Sequence, residues 1–259
     1  MILLGEKCMD REMKRKCAIR AAVFFALTIF VVGLAAPSVS ATTTKYYYPP
    51  YGDGGGWIMG QQTSGVGHES IYVSPYASSS SGIAKEFTAT IAGPGYGLAY
   101  ISNREAFYGT TFVAPISGTY TITYAWQMWC YATVTAYGSY YSAGTAWAKI
   151  LVKGNLIQYT SPYGYVTSDK SVTVWDKKVV GLIMSGSSAI CHKDGTYYYV
   201  TFSVSLKAGY TYCFRTWIDT EQKTGGLVGA QGLSYINMAN TDIFGSSNYA
   251  ALKYIKLVY

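Results

Sequence analysis

The segment Gly118–Trp126 reads GTYTITYAW and alternates without a break. Tyr120, Ile122, Tyr124 and Trp126 fall on one side of an extended chain, and Thr119, Thr121, Thr123 and Ala125 on the other. A helical period of 3.6 would mix the two sets, so the segment reads as a β-strand. Its bulky aromatic face belongs in a core, and its small hydroxylated face packs or meets water.

The same pattern recurs. IAKEFTATI, YGLAYIS, TTFVAP, TAWAKILVK, SVTVWDKKVVGLIM, YYVTFSVSL, YTYCFRTWI and LKYIKLVY are all rich in β-branched and aromatic residues with a period of two. Tyr198, Val200, Phe202, Val204 and Leu206 form one face, as do Tyr210, Tyr212, Phe214 and Ile218. Turn signals stand between the runs: SG at 117–118, KG at 153–154, KDG at 193–195 and KAG at 207–209, with ASSSSG at 77–82 as a loop tip. No segment after residue 41 shows a helical period that would support parallel crossovers. The expectation is an all-β fold: an antiparallel, jelly-roll-like β-sandwich of about eight to ten strands.

The first 41 residues read differently. Arg11, Lys14, Arg15, Lys16 and Arg20 precede an apolar run from Ala21 to Ala36, and PSVSA follows with small residues at Val39 and Ala41. This is the layout of a secretory signal peptide. The run is shorter than the roughly 20 residues that span a bilayer. Residues 1–41 are therefore expected to be removed, leaving no membrane span in a secreted or cell-surface protein. Residues 42–70, opening with TTTKYYYPPYGDGGGW, read as an extended N-terminal arm rich in Tyr, Pro and Gly, and residues 71–259 as the sandwich. The formal net charge of +7 owes much to the leader. The other lysines are scattered, which argues against a nucleic-acid partner.

A family resemblance enters with FVAPISGTY. Phe112, Pro115, Gly118 and Tyr120 resemble the strand entry of the jelly-roll heads of complement-recognition and tumour-necrosis-factor proteins. VSLKAGYTYCF and DIFGSSNYAALKYIKLVY resemble the later strands of those heads, so the likeness covers Thr111 to Tyr259. The Pro-x-x-Gly-x-Tyr entry is also similar to that of secreted carbohydrate-binding sandwich modules. The resemblance implies a jelly roll used for binding, as a trimer in the case of those heads. Long insertions around 131–145 and 155–195 depart from them.

Catalytic and metal chemistry find little support. His68 and His192 are the only histidines, far apart and each beside turn-forming residues. Asp219 and Glu221 are the one close pair of acids, and on a strand they share a face, whereas a glycosidase needs carboxylates on both sides of a sugar. No Gly-x-Ser-x-Gly elbow occurs. Asp53 and Asp242 sit in turns that would admit calcium, as most turn aspartates do. No catalytic residue, metal or cofactor is expected. Cys130, Cys191 and Cys213 follow the leader, an odd number in an exported chain. The expected bridge joins Cys213 to Cys130 or Cys191, the alternative being buried thiols.

The surplus is aromatic. All 27 Tyr and all six Trp lie beyond residue 41, more than core demand explains. Trp129 is out of phase with Trp126, and Tyr131, Tyr137, Tyr140, Tyr141, Tyr163 and Tyr165 fall in or near turns. Exposed Trp and Tyr stack on sugar rings and make rigid protein contacts. These seven residues are the candidate ligand-binding set. The expected function is non-catalytic binding or adhesion, with a polysaccharide or a cell-surface protein as partner. The alternative is a subunit of an extracellular filament or surface layer, self-associating by strand addition of the arm at residues 42–51.

Overall fold

The computed structural model describes residues 42–65, 68–93, 97–108, 110–139, 142–181, 186–226, 230–237 and 249–259. The expected signal peptide, and Tyr140 and Tyr141 of the candidate set, lie outside these. Fourteen strands are formed: β1 (Thr44–Tyr47), β2 (Asp53–Gly65), β3 (His68–Ser78), β4 (Ile83–Ala92), β5 (Gly97–Tyr108), β6 (Thr111–Val113), β7 (Gly118–Tyr137), β8 (Gly144–Gln158), β9 (Gly164–Tyr165), β10 (Lys170–Gly181), β11 (Gly186–Leu206), β12 (Thr211–Gly226), β13 (Gln231–Asn237) and β14 (Tyr249–Val258). There is no helix among the described residues. Every pairing is antiparallel, in two sheets that face each other, as the period-two runs predicted.

The first sheet runs β1-β14-β4-β13-β7-β11, with β3 beside β4. Its organiser is β7. One edge of that strand pairs with β11 along most of its length. The other edge is shared, with residues 121–129 facing β14 and residues 131–137 facing β13. The second sheet runs β10-β8-β12-β5-β2, with β6 on the start of β12 and β9 on the end of β8.

Three expectations change. The stretch 42–70 is extended, but it is woven into the sheets: β1 pairs with β14, β2 with β5 and β3 with β4. β1, β2 and β3, with β9 and β13, are the strands beyond the runs read from the sequence. KG at 153–154 is no turn, because β8 passes straight through it. Gly154 is small for packing: a Cβ there would lie 2.5 Å from the Tyr124 ring. KDG at 193–195 is likewise inside β11, where the register against β7 slips between His192 and Thr196. KAG at 207–209 does turn, with Gly209 at φ +79°, and the 77–82 tip closes at Gly82 with φ +67°.

The core follows the alternation. Tyr120, Ile122, Tyr124, Trp126, Met128, Cys130, Ala132, Val134 and Ala136 of β7 all point inward. They meet Ala146, Ala148, Ile150, Val152 and Leu156 of β8, and Tyr212, Phe214 and Ile218 of β12. The buried tip of Trp126 is satisfied: its Nε1 donates to Thr216 Oγ1 at 2.9 Å, and Thr216 donates to the Lys153 carbonyl at 2.6 Å. The threonine face stays outside, where Thr121 bonds Ser203 and Thr123 bonds Thr201, each at 3.0 Å.

Two outcomes are expected. Ile122→Ala should destabilise the fold by roughly 2–5 kcal/mol in chemical denaturation, and Thr121→Ala by under about 1 kcal/mol, since its hydroxyl bond is exposed. The second concerns Tyr124 and Tyr51, whose hydroxyls donate to the Asn155 carbonyl at 2.6 Å and the Leu252 carbonyl at 2.9 Å. Burial pushes both phenols well above the ordinary tyrosine value. Folding thus favours their neutral form, so this contribution is complete below about pH 10 and falls as pH rises beyond it. In an alkaline absorbance titration the two should ionise together with loss of the near-ultraviolet circular dichroism.

Candidate functional site

The outer face of the first sheet carries a belt of tyrosines. Its centre is Ala125, an outward position on β7 that is nonetheless fully buried. Tyr199 of β11 and Tyr254 of β14 are its cross-strand partners on either side, and they roof it. Their hydroxyls are hydrogen-bonded, and burial pushes the Tyr254 phenol upward, with Tyr199 adding to the shift. Tyr197 stacks on Tyr199 at 5.9 Å between ring centres. On the other side, Tyr46 of β1 meets Tyr254 edge-on at 5.4 Å, and Tyr48 packs on both, at 6.2 Å and 6.3 Å. The rings remain open to solvent: Tyr48 is 60% exposed, Tyr199 48%, Tyr46 47% and Tyr197 39%. A cleft of about 340 Å³ is lined by Tyr48, Tyr197, Tyr254 and Lys253. Beside the belt runs the ladder of Thr121, Thr123, Thr201 and Ser203 hydroxyls.

The outer face of the second sheet is charged. Trp217 of β12 points outward yet is fully buried. The guanidinium groups of Arg104 and Arg215 cover its ring, at 5.0 Å and 4.8 Å from the centroid. Arg104 is fixed in turn by Asp219, Nε to Oδ1 at 2.8 Å, and Asp219 also takes the Lys153 ammonium at 2.7 Å. Arg215 donates to the Tyr165 hydroxyl at 2.9 Å. Asp219 and Glu221 do share one face of the strand, but Asp219 is committed to two cations. Among the described residues no group of three or more His, Cys, Asp or Glu gathers as a metal site. His68 and His192 have strand rather than turn backbones, opening β3 and lying within β11, and their side chains are outside the described residues.

The five candidate aromatics among the described residues lie at separate places in the fold. Trp129 and Tyr131 are on the outer face of the first sheet, Trp129 packed on Tyr249 at 4.4 Å and Tyr131 on Tyr235 at 5.6 Å. Tyr137 ends β7, 46% exposed. Tyr163, in the loop after β8, and Tyr165, on the short β9, are exposed, Tyr163 edge-on to Tyr159 at 5.6 Å. The belt residues Tyr46, Tyr48, Tyr197, Tyr199 and Tyr254 were not in the candidate set. A signal for four of them existed in KYYYPP and TYYYV, where consecutive tyrosines must place rings on both faces of a strand, whereas Tyr254 stands alone in LKYIK.

The structure does not join Cys213 to Cys130. Cys130 and Cys213 are buried thiols on different sheets, the first on β7 and the second on β12. Cys213 Sγ donates to the Phe214 carbonyl at 3.4 Å. Cys191 is registered opposite Tyr131, and its side chain lies outside the described residues.

No family model matches the sequence, and no curated protein matches it. Solved structures with a similar arrangement include carbohydrate-binding modules. One is the module CBM6cm-2 from Cellvibrio mixtus lichenase 5A in complex with cellotriose, at 14% identity and TM-score 0.17 over 74% of this chain and 94% of that one. Another is the isomalto-dextranase of Arthrobacter globiformis T6 complexed with panose, at 10% identity and TM-score 0.23 over 83% of this chain. The chain spans only 34% of that enzyme. A third is the K1 cleaved adhesin domain of Lys-gingipain from Porphyromonas gingivalis W83, at 13% identity and TM-score 0.19 over 71% of this chain and 98% of that one. At such scores nothing passes from those proteins to this one, and function is argued from its own residues.

The thiols give a direct check. Iodoacetamide should label the peptides holding Cys130 and Cys213 only after the protein is unfolded, without prior reduction. Labelling that needs a reductant would show that they are bridged.

Proposed function

We propose that this is a secreted or cell-surface carbohydrate-binding or adhesion module without catalytic activity, and that its contact surface is the tyrosine belt of the first sheet. The single observation behind this reading is the belt itself. Five tyrosines from β1, the loop after it, β11 and β14 converge on the Ala125 trough with their rings half open to water. A core has no use for rings on that side of the sheet, and solubility is better served by the Thr and Ser that fill the rest of it. Exposed apolar surface of this kind marks an interaction site. Rings held by one another present their faces without losing side-chain freedom on binding, which lowers the entropic cost of contact. The neighbouring hydroxyl ladder offers donors and acceptors to sugar hydroxyls.

A filament built by strand addition of the arm is less well supported. Thr44–Tyr47, the residues that would be donated to a neighbour, already pair with Ile255–Val258 of the same chain. The sheet edge and the donor strand satisfy each other within one molecule.

The test is affinity electrophoresis through gels holding soluble glucans, galactans, mannans or xylans, with reducing-sugar release measured in parallel. At least one neutral polysaccharide should retard the protein, and none should be cleaved. Tyr48→Ala with Tyr199→Ala should weaken that binding about tenfold, the equivalent of roughly 1.4 kcal/mol, with the melting temperature nearly unchanged. Retention of full binding by this double variant would remove the belt from the site, and turnover of any glycan would overturn the non-catalytic reading.

A further inference from the structure

We propose that the outer face of the second sheet is a separate site for an acidic polysaccharide, a chain of sugars bearing carboxylate or sulfate groups. The register places five residues in one line across five strands. Lys178 of β10 lies opposite Trp147 of β8, Trp147 opposite Lys223 of β12, Lys223 opposite Tyr100 of β5, and Tyr100 opposite Gln62 of β2. Cation and aromatic ring alternate at the strand spacing, ~4.8 Å. The Lys223 ammonium stands between the two rings, 5.3 Å from the Tyr100 centroid and 5.6 Å from that of Trp147. Trp147 is held by its Nε1, which donates to Asp176 at 2.8 Å.

The line lies in a groove. A cleft of about 390 Å³ is lined by Trp147, Lys178, Lys223 and Thr145, and a second of about 680 Å³ by Lys223, Tyr100, Gln62, Leu98 and Thr145. They meet at Lys223. The next row towards one end of the sheet is low, with Gly225 opposite both Thr145 and Leu98, and this opens the groove.

The charges favour an anion. Asp176 takes the Trp147 indole and the Lys149 ammonium, at 3.9 Å for the latter. Asp219 is occupied by Arg104 and Lys153. Glu221 lies one row away, registered opposite Lys149. Lys178 and Lys223 are exposed, and neither ammonium meets a carboxylate among the described residues. An acidic sugar carries its anion on the ring that stacks, so ring and charge fall within one strand interval of each other. A nucleotide holds its phosphate beyond the ribose, further from the base than that interval, and fits the line less well.

The experiment titrates the intact protein with polygalacturonate, a sulfated galactan, neutral hydroxyethyl cellulose and a poly-dT oligonucleotide, at low and high salt. Binding to polygalacturonate or the sulfated galactan, weakening as salt rises, is expected, and the stronger of the two identifies the anion. Lys178→Ala with Lys223→Ala should weaken it about tenfold, the sum of two exposed ion pairs. Lys178→Arg with Lys223→Arg should keep it within about threefold, because the charge is retained. The Tyr48→Ala, Tyr199→Ala double variant should bind the acidic chain as well as the unaltered protein, so failure of the belt and failure of this groove are told apart. Undiminished binding by the double alanine variant with an unchanged melting temperature overturns the proposal. So does absence of binding to both acidic glycans, or equally tight binding of the oligonucleotide.

Discussion

The inward face of β7 shrinks along its length, and the rest of the molecule is shaped around that gradient. Tyr120, Tyr124 and Trp126 fill one end, and Ala132, Val134 and Ala136 the other. Where the side chains are large, the sheets are held apart by rings: Trp126 packs on Phe107 at 5.5 Å, and Tyr124 meets Phe214 edge-on at 6.3 Å. Where they are small, backbones nearly touch. A Cβ on Gly232 of β13 would lie 2.1 Å from the Thr145 carbonyl of the opposite sheet, and one on Gly181 would lie 2.3 Å from the Ala136 carbonyl. No side chain fits there, so glycine is required by close approach rather than by turning. The sandwich is a wedge, and its thin end is as dependent on missing atoms as its thick end is on large ones.

The wedge leaves two outer faces with different chemistry, each organised by one outward residue that is buried from above. On the first sheet it is Ala125, covered by Tyr199 and Tyr254. On the second it is Trp217, covered by Arg104 and Arg215. The two solutions differ in how they treat water. Phenols roofing an alanine keep a surface apolar and flat. Guanidinium groups roofing an indole cover it while keeping their charges at the surface, and Asp219 then orders the cations beside them. A neutral ligand suits the first surface and a charged one the second.

Much of the fold was legible because alternation is a local signal. Apart from the two-residue β9, each strand from β4 to β12, with β14, could be read from its own residues, and the inward set Tyr198, Val200, Phe202, Val204 and Leu206 is the set that faces the core. Glycine was the misleading residue. Gly154 and Gly195 looked like turns, since sequence does not distinguish a glycine needed for φ above zero from one needed for space, as under the Tyr124 ring. The arm was read as extended from its prolines, but its first strand pairs with β14, some 200 positions away, and its second with β5, and no local pattern carries either pairing. The two proposed contact surfaces were hidden for the same reason. Tyr46, Tyr199 and Tyr254 come from three distant segments, and Lys178, Trp147 and Lys223 become a line only once the register is known. Tyr163 and Tyr165 were found exposed as their turn context suggested, but exposure alone did not gather them with Trp129 and Tyr131, which belong to the other sheet.

The placement of the two faces has a consequence of its own. They are the backs of the same sandwich, turned away from each other and separated by both sheets and the core between them, on the order of 10 Å of side chains alone. One polysaccharide chain lying flat on the belt cannot also lie in the groove. If both surfaces are occupied, the occupants are two chains, and the protein joins them. Affinity at the weaker face then sets how long the link lasts, because a link between polymers lasts only as long as its weaker contact. The close-packed thin end and the ring-filled thick end of the core set the separation of the two surfaces.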